Sequence, residues 1–459
     1  MARCGAYTRG AERQNRYPMS DNKNTIIAIA LSALVLLAWQ YFVTGPQQKV
    51  REEQLQAQKQ QQAQQPAAQP GQNAQTAPAP AGPPLAPGQT AQAPTANAAN
   101  RDDALKASQR IPIATESLQG SIALKGARID DISLSKFRET VDPKSPPIVL
   151  LSPSGSPDPF YAEFGWTGTA GSNVKLPTGD TVWKQEGSGA LAVGHPVTLS
   201  YDGGDGLQFR RTISVDDKYL FTVQDEVANK SASAVTLYPY GLISRHGTPQ
   251  TAGYYILHEG LVGYLDGLQE YTYKKMEDLK PDASGMKTIN FDATNGWLGI
   301  TDKYWAATLL PPADAKLKAH YTTGQIGSTP TYQTDYLMDA RVVQPGGNAS
   351  ASTRLFAGAK EVRVVNGYED QLKLGHFDLL IDWGWFYFIT KPLFNVIDYF
   401  YRLVGNFGLA ILIVTVLIKI AFFPLANKSY ASMAKMKAVQ PQMTALRERY
   451  PDDKVKQQQ

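Results

Sequence analysis

Lys419 is the residue whose setting most clearly asks for chemistry. It follows eleven uncharged residues, Gly408 to Ile418, inside the apolar run 403–425 (LVGNFGLAILIVTVLIKIAFFPL). A cation near the centre of a spanning helix costs ~2.5–3.5 kcal/mol and is a functional hypothesis by default. Lys419 lies five residues before Pro424, about 7.5 Å of helix rise, so it belongs to the half of the span nearer its basic flank. One reading is snorkelling, in which the long stem carries the ammonium to the headgroups. The other is a water-filled groove open to the cytoplasm, whose positive charge holds polar or acidic parts of a chain in transit and lowers the cost of moving them into lipid. That work is binding and passage; no bond is made or broken. A second group is Ser244, Arg245 and His246, with His258 twelve residues on. Such residues suit a sugar-binding or epimerising site that uses His246 with an Asp or Glu. The plainer reading is exposed His and Arg on a β-loop. No GxSxG, HExxH, P-loop or GxGxxG is present. With Cys4 as the single cysteine and five scattered histidines, no disulfide framework, metal site or cofactor is expected. Lys plus Arg is 45 against 41 Asp plus Glu, too even a balance for a general nucleic-acid binder.

The elements that position these residues differ along the chain. Residues 1–24 are polar and basic, and Met19 opens a run that reads as the true start, with 1–18 an upstream extension. Thr25 to Val43 holds no charge over 19 residues. A helix of that length covers about 29 Å, close to the ~30 Å hydrocarbon core. The apolar core of a cleaved signal is ~7–15 residues and ends in a small-residue site; WQYFVTGPQQ offers none, so 25–44 reads as a retained anchor. From 46 to 100, Gln, Ala and Pro make up 38 of 55 residues. Nothing there can offset the entropy of ordering, so 45–108 reads as a disordered linker.

Residues 109–372 change character. Runs such as SIALKGARIDDISL, LQFRRTISV, YLFTVQDEV, AVTLYPYGLI and KAHYTTG alternate apolar and polar side chains between turn residues. That pattern predicts an antiparallel β-sandwich, closed by a short helix over 359–372. Residues 376–402 are apolar and aromatic but carry Asp378, Asp382, Lys391, Asp398 and Arg402. Charges at that density predict a helix lying in the membrane interface rather than across it, kinked or restarted at Pro392. The second span is expected over 403–425. After it comes a basic helix over 428–449, with Met433, Met436, Val439, Met443 and Leu446 on one side and Pro441 interrupting it. Both flanks, 1–24 and 426–459, carry a Lys/Arg excess, which places both on the cytoplasmic side and everything between the spans outside.

At this point a likeness enters. The runs DWGWFYFITKPLF, VGNFGLAILIVTVLIK and FPLANKSYASMAKMKAVQPQMTALRERY in 382–449 resemble the YidC/Oxa/Alb family of membrane-protein insertases. The Met19-led anchor, the Gln/Ala/Pro linker and GWLGITDKYWAATLLPP (296–312) are similar to the form found in bacteria with an outer membrane. The resemblance implies a membrane protein with two transmembrane helices flanking a large periplasmic all-β super-sandwich. That sandwich would be galactose-mutarotase-like without the enzyme's role. An interfacial amphipathic helix and a cytoplasmic basic helix, the start of a helical hairpin, would follow. It implies no enzyme and no cofactor, but insertion and folding of inner-membrane proteins through a hydrophilic, positively charged groove. Implied partners are nascent inner-membrane proteins, Sec translocon components, the ribosome and the lipid bilayer. The family's groove cation is usually an arginine, at a position corresponding to Lys419. Lysine keeps the charge and loses the bidentate fork. The family core has five spans after the periplasmic domain, whereas this chain reaches the first and stops at KVKQQQ. The expectation is therefore a C-terminally truncated chain, inactive by itself. The alternative is a membrane-tethered periplasmic carbohydrate-binding or epimerase-like β-sandwich protein.

Overall fold

A computed structural model describes residues 100–250, 257–282 and 285–449. The expected anchor at 25–44 and most of the linker lie outside the described residues. The β-rich part folds as two antiparallel sheets laid face to face. The ten-stranded sheet runs Arg110–Ala114, Leu118–Ala123, Ile129–Arg138, Phe160–Gly168, Val235–His246, Thr329–Met338, Lys316–Ile326 and Lys287–Thr294, in that spatial order. Pro147–Leu151 and Arg341–Val343 pair at its sides. The nine-stranded sheet runs Leu268–Thr272, Gly260–Tyr264, Trp297–Thr301, Trp305–Leu310, Asn348–Ala359, Leu220–Asn229, Leu207–Val215, Val197–Asp202 and Lys184–Glu186. The alternating runs read from sequence all fall on these strands. In Leu207–Val215 every second side chain is buried and its neighbour is half-buried or exposed, which is what a strand with one face on a core requires.

One buried position in that strand is Arg211, in line with Leu207, Phe209, Ile213 and Val215. Its guanidinium pairs with Asp225 (Nε to Oδ1, 2.6 Å; Nη2 to Oδ2, 3.1 Å). It then crosses the sandwich, donating to the carbonyls of Ala127 (3.1 Å) and Phe164 on the ten-stranded side. Its central carbon lies 5.1 Å from the Trp183 ring centre. A buried charge is tolerated when it is paired and hydrogen-bonded, and here four of the five N–H donors reach four acceptor oxygens on the two sides of the sandwich.

Where the linker was expected to run to 108, helix α1 (Arg101–Lys106) is formed. The Asn100 side chain caps it by accepting from the Asp103 N–H at 2.9 Å, Ala104 is buried, and Arg101 pairs with Asp131. Cap, buried methyl and ion pair together order a turn that composition alone does not reveal. Helix α2 (Tyr273–Glu277) buries Tyr273 and Met276 at the sheet end.

The closing helix is α3 (Val362–Leu372). It seats Val365 and Tyr368 on the sandwich, and the Tyr368 hydroxyl donates to Asp216 at 2.6 Å. Gly367 sits in its interior with nothing nearby to pack against, so the glycine costs helix propensity and no contact. A 3-10 turn follows at Phe377–Leu380. Phe377 is fully buried edge-to-face between Trp297 (5.3 Å) and Phe356 (5.9 Å), and the Trp297 indole donates to Gly375 O at 3.1 Å. The expected interfacial helix therefore loses its first residues to the β-domain. Helix α4 itself is Tyr387–Val404.

Pro392 neither ends nor restarts α4, and α5 runs unbroken from Phe407 to Arg449 through Pro424 and Pro441. The second span and the basic helix, expected as separate pieces, are one helix of 43 residues. At ~1.5 Å per residue it is about 65 Å long, roughly twice the hydrocarbon core. Each proline removes one N–H and frees one carbonyl. On an exposed helix that carbonyl can find another donor, so the ladder loses one rung and the helix continues.

Candidate functional site

The corner between α4 and α5 is made by Gly405 and Asn406. Gly405 takes a left-handed φ of 73° and ends α4 with a bond from its N–H to Tyr401 O. Glycine is the residue that adopts this without strain. The Asn406 side chain then accepts the Leu409 N–H at 3.0 Å and caps α5. The expected span at 403–425 thus begins at Phe407, and the dipeptide Gly405–Asn406 was the signal that marks it. Behind the corner, Ala410 and Val414 are the buried residues of α5, one helical turn apart, and the Tyr401 and Phe407 rings meet at 5.9 Å.

From there to Leu425, Lys419 apart, α5 is largely apolar and bare. Leu412, Val416, Ile420 and Phe423 are all more than half exposed. A bare apolar surface of that extent marks a membrane or protein contact. Among the described residues, α5 is the one helix long and apolar enough to cross a membrane. Lys419 is exposed on it, twelve residues after Phe407 and so about 18 Å along the axis.

The second candidate group does not come together. Strand alternation puts Ser244 and His246 on one face of Val235–His246 and Arg245 on the other. Arg245 reaches through the core side to Asp302 (2.7 Å) and Tyr273 (3.1 Å) and lies 4.7 Å from the Phe160 ring centre. On the opposite face Ser244 bonds the Tyr161 hydroxyl, and His246 meets the Tyr161 ring edge-on at 6.0 Å. His258 turns to the Leu261 carbonyl (2.9 Å), and its backbone N–H donates to Asp382 (2.9 Å). Asn229, which opens the triplet Asn229-Lys230-Ser231 with glycosylation-type spacing, is buried, and its amide donates to Ser233 O and Val343 O.

Burial, with the Arg128 charge adding to it, lowers the His246 pKa to about 4, and burial lowers His258 to about 4. Both histidines are neutral at pH 7. An unfolded chain takes up these protons below about pH 6.5, whereas the folded chain resists until near pH 4. Stability is therefore complete above pH 6.5 and falls as pH drops through that window. Linkage puts the loss at about 2 kcal/mol per histidine at pH 5. Urea midpoints measured at pH 7 and pH 5 should show a fall that is about halved by His246→Gln.

Residues 110–396 match the family described as YidC periplasmic domain, and residues 399–459 match the 60Kd inner membrane protein family. The membrane protein insertase YidC of Bradyrhizobium diazoefficiens is 58% identical over 96% of this chain and 72% of its own length. The Nitrobacter hamburgensis insertase is 58% identical over 96% of this chain and 71% of its own. The chain belongs to the YidC insertase family. That family consists of inner-membrane insertases, not enzymes. Among solved structures, a galactose mutarotase related enzyme from Lactobacillus acidophilus shares 11% identity at a TM-score of 0.37, over 54% of this chain and 97% of that one. A putative aldose 1-epimerase from Escherichia coli shares 10% at 0.35, over 55% and 99%. Likenesses so slight carry no argument about chemistry.

Proposed function

We propose that the intact gene product carrying this chain inserts inner-membrane proteins and helps them fold, and that Lys419 lines a hydrated intramembrane groove that receives their polar segments. Family membership supports the activity. The observation that supports the groove is a lysine on the exposed face of the apolar helix α5, well inside the length that a bilayer covers. If Phe407 marks the outer edge of the core, Lys419 lies about 18 Å into ~30 Å, beyond the midplane. An ammonium there attracts acidic and polar client groups that pure hydrocarbon rejects. The basic C-terminal half of α5, with Lys428, Lys435 and Lys437, belongs on the cytoplasmic side by the positive-inside rule. The β-domain then lies outside, in the periplasm, with residues 25–44 crossing in the opposite sense. Helix α4 rests at the interface, and partners are nascent clients, lipid, the Sec translocon and the ribosome. The sugar-site reading gains nothing from the geometry, because Ser244 and Arg245 face opposite sides of their strand.

The test is a photo-crosslinking residue at position 419 or at Leu403 in the intact gene product, with a ribosome-stalled single-span client. Strong crosslinks from 419 and few from 403 are expected. Equal, background-level crosslinks at both positions would remove the groove reading.

A further inference from the structure

On α4, Lys391, Asn395, Asp398 and Arg402 recur at intervals of four, three and four residues, so they form one polar stripe on an otherwise apolar helix. An interfacial helix ordinarily turns such a stripe to water. Here two of its charges, Lys391 and Asp398, are taken up by the β-domain, while Arg402 pairs with Asp398 on α4 itself. Lys391 Nζ pairs with Asp378 Oδ2 at 2.7 Å. Asp378 sits in the 3-10 turn, and its own N–H donates to Glu369 of α3 at 2.9 Å. Two helical turns on, Asp398 Oδ2 accepts from Arg363 of α3 at 2.9 Å and from Arg402 at 3.0 Å. The approach to α4 is tied as well: Asp382 accepts the His258 N–H at 2.9 Å, and the Trp383 indole donates to Asp378 O at 3.2 Å. The 3-10 turn is itself anchored in the core by Phe377 and Leu380.

We infer that this clasp makes α4 a rigid bracket: Asp378, Lys391, Arg363 and Asp398 fix its roll and depth against the β-domain, and so position α5 in the bilayer. The inference rests on the insertase reading for its purpose but not for its geometry. Two pairs on the same face, two turns apart, restrain both rotation about the helix axis and tilt along it, which one pair alone does not. On the side of α4 opposite this stripe, Ile389, Val396 and Leu403 are exposed and left for lipid. The ligand of that face is the acyl side of the membrane interface, which takes the apolar side of an interfacial helix. Across the Gly405–Asn406 corner, Ala410 and Val414 pass the orientation of α4 to α5. These four charged residues are positioning residues and contact no client.

The experiment uses the full chain with Cys4→Ser, reconstituted in phosphatidylethanolamine/phosphatidylglycerol vesicles. Spin labels are placed at Val193→Cys on the sandwich and Tyr399→Cys on α4. The pairs are opened by Lys391→Asp and by Arg363→Glu, and the first is re-formed in reverse by Lys391→Asp with Asp378→Lys. The parent should give one narrow distance distribution. Each single charge reversal should broaden it at least twofold, and the reversed pair should restore it, with the β circular-dichroism signal unchanged throughout. An unchanged distribution in both single reversals overturns the inference, as does a reversed pair that stays as broad as Lys391→Asp alone. The distances are read without any client, so this outcome is independent of insertion. In the intact gene product, client insertion should fall several-fold with Lys391→Asp and return with the reversed pair. Insertion absent from the parent as well would count against the insertase reading and leave the distance result standing.

Discussion

Arg211→Met is expected to be the most destabilising single change in the β-domain. It removes a fully buried guanidinium and leaves Asp225 charged, buried and without its partner, along with two carbonyls on the facing sheet. Breaking one side of a buried pair costs about 3–5 kcal/mol. That is a large part of the ~5–15 kcal/mol that holds a domain together. For a domain of this size each kcal/mol moves the melting temperature by about 2–4 °C, so a drop of roughly 10 °C or more should appear in a thermal melt of the reconstituted chain. The double variant Arg211→Met with Asp225→Leu should recover at least half of the loss, because no unpaired charge remains. A single variant that melts within about 2 °C of the parent would show that the bridge between the sheets carries little of the stability.

The second large effect concerns Lys419. In the intact gene product, Lys419→Glu should reduce insertion of a client with an acidic translocated segment at least tenfold, and Lys419→Arg should leave it near the parent level. Two unit charges about 4 Å apart at an effective dielectric near 20 interact by about 4 kcal/mol. Reversing the groove charge therefore turns an attraction of a few kcal/mol into a repulsion, and each 1.4 kcal/mol is tenfold. The neutral variant Lys419→Leu separates the two readings of this lysine. A snorkelling lysine anchors a helix end, and its loss should barely change insertion. A groove cation should lose most of it. Arginine tests the departure from the family pattern: if only the charge matters, lysine and arginine are interchangeable here. If the fork matters, Lys419→Arg should exceed the parent. Client insertion, scored by protease protection in insertase-depleted cells, decides among these outcomes.

The particular residues show how much of this was legible in the sequence. The sandwich was, because strands such as Leu207–Val215 alternate without a slip and turns separate them. Arg211 was visible in the same pattern as an arginine at an apolar position, yet periodicity gives no sign of which carbonyls it meets across the core. The α3 helix was legible despite Gly367. The helix α1 was not, since six residues inside a Gln/Ala/Pro-rich context are ordered by a cap and by Asp131, which is distant in sequence. The prolines misled for a physical reason. Pro392 was read as a kink or restart and Pro441 as an interruption, but losing one hydrogen bond does not end a helix that is long or docked. The five charges in 376–402 were legible as an argument against a spanning helix there. Their partners, Arg363 on α3 and the His258 backbone among them, are long-range facts that spacing cannot supply. Ser244, Arg245 and His246 are adjacent in sequence, and the period-two strand separates them. Lys419 stood out in the sequence because a cation in an apolar run is conspicuous; its place on the exposed surface of α5 leaves its role to experiment.

The most direct measurement is insertion itself. The intact gene product, purified and reconstituted into proteoliposomes, is given a single-span client with a short acidic translocated tail, synthesised in vitro, and the protease-protected fragment is quantified. The account predicts a protected fragment at least tenfold above empty liposomes, reduced to near the empty level by Lys419→Glu. A yield equal to that of empty liposomes, from protein whose β-domain is folded, would contradict it.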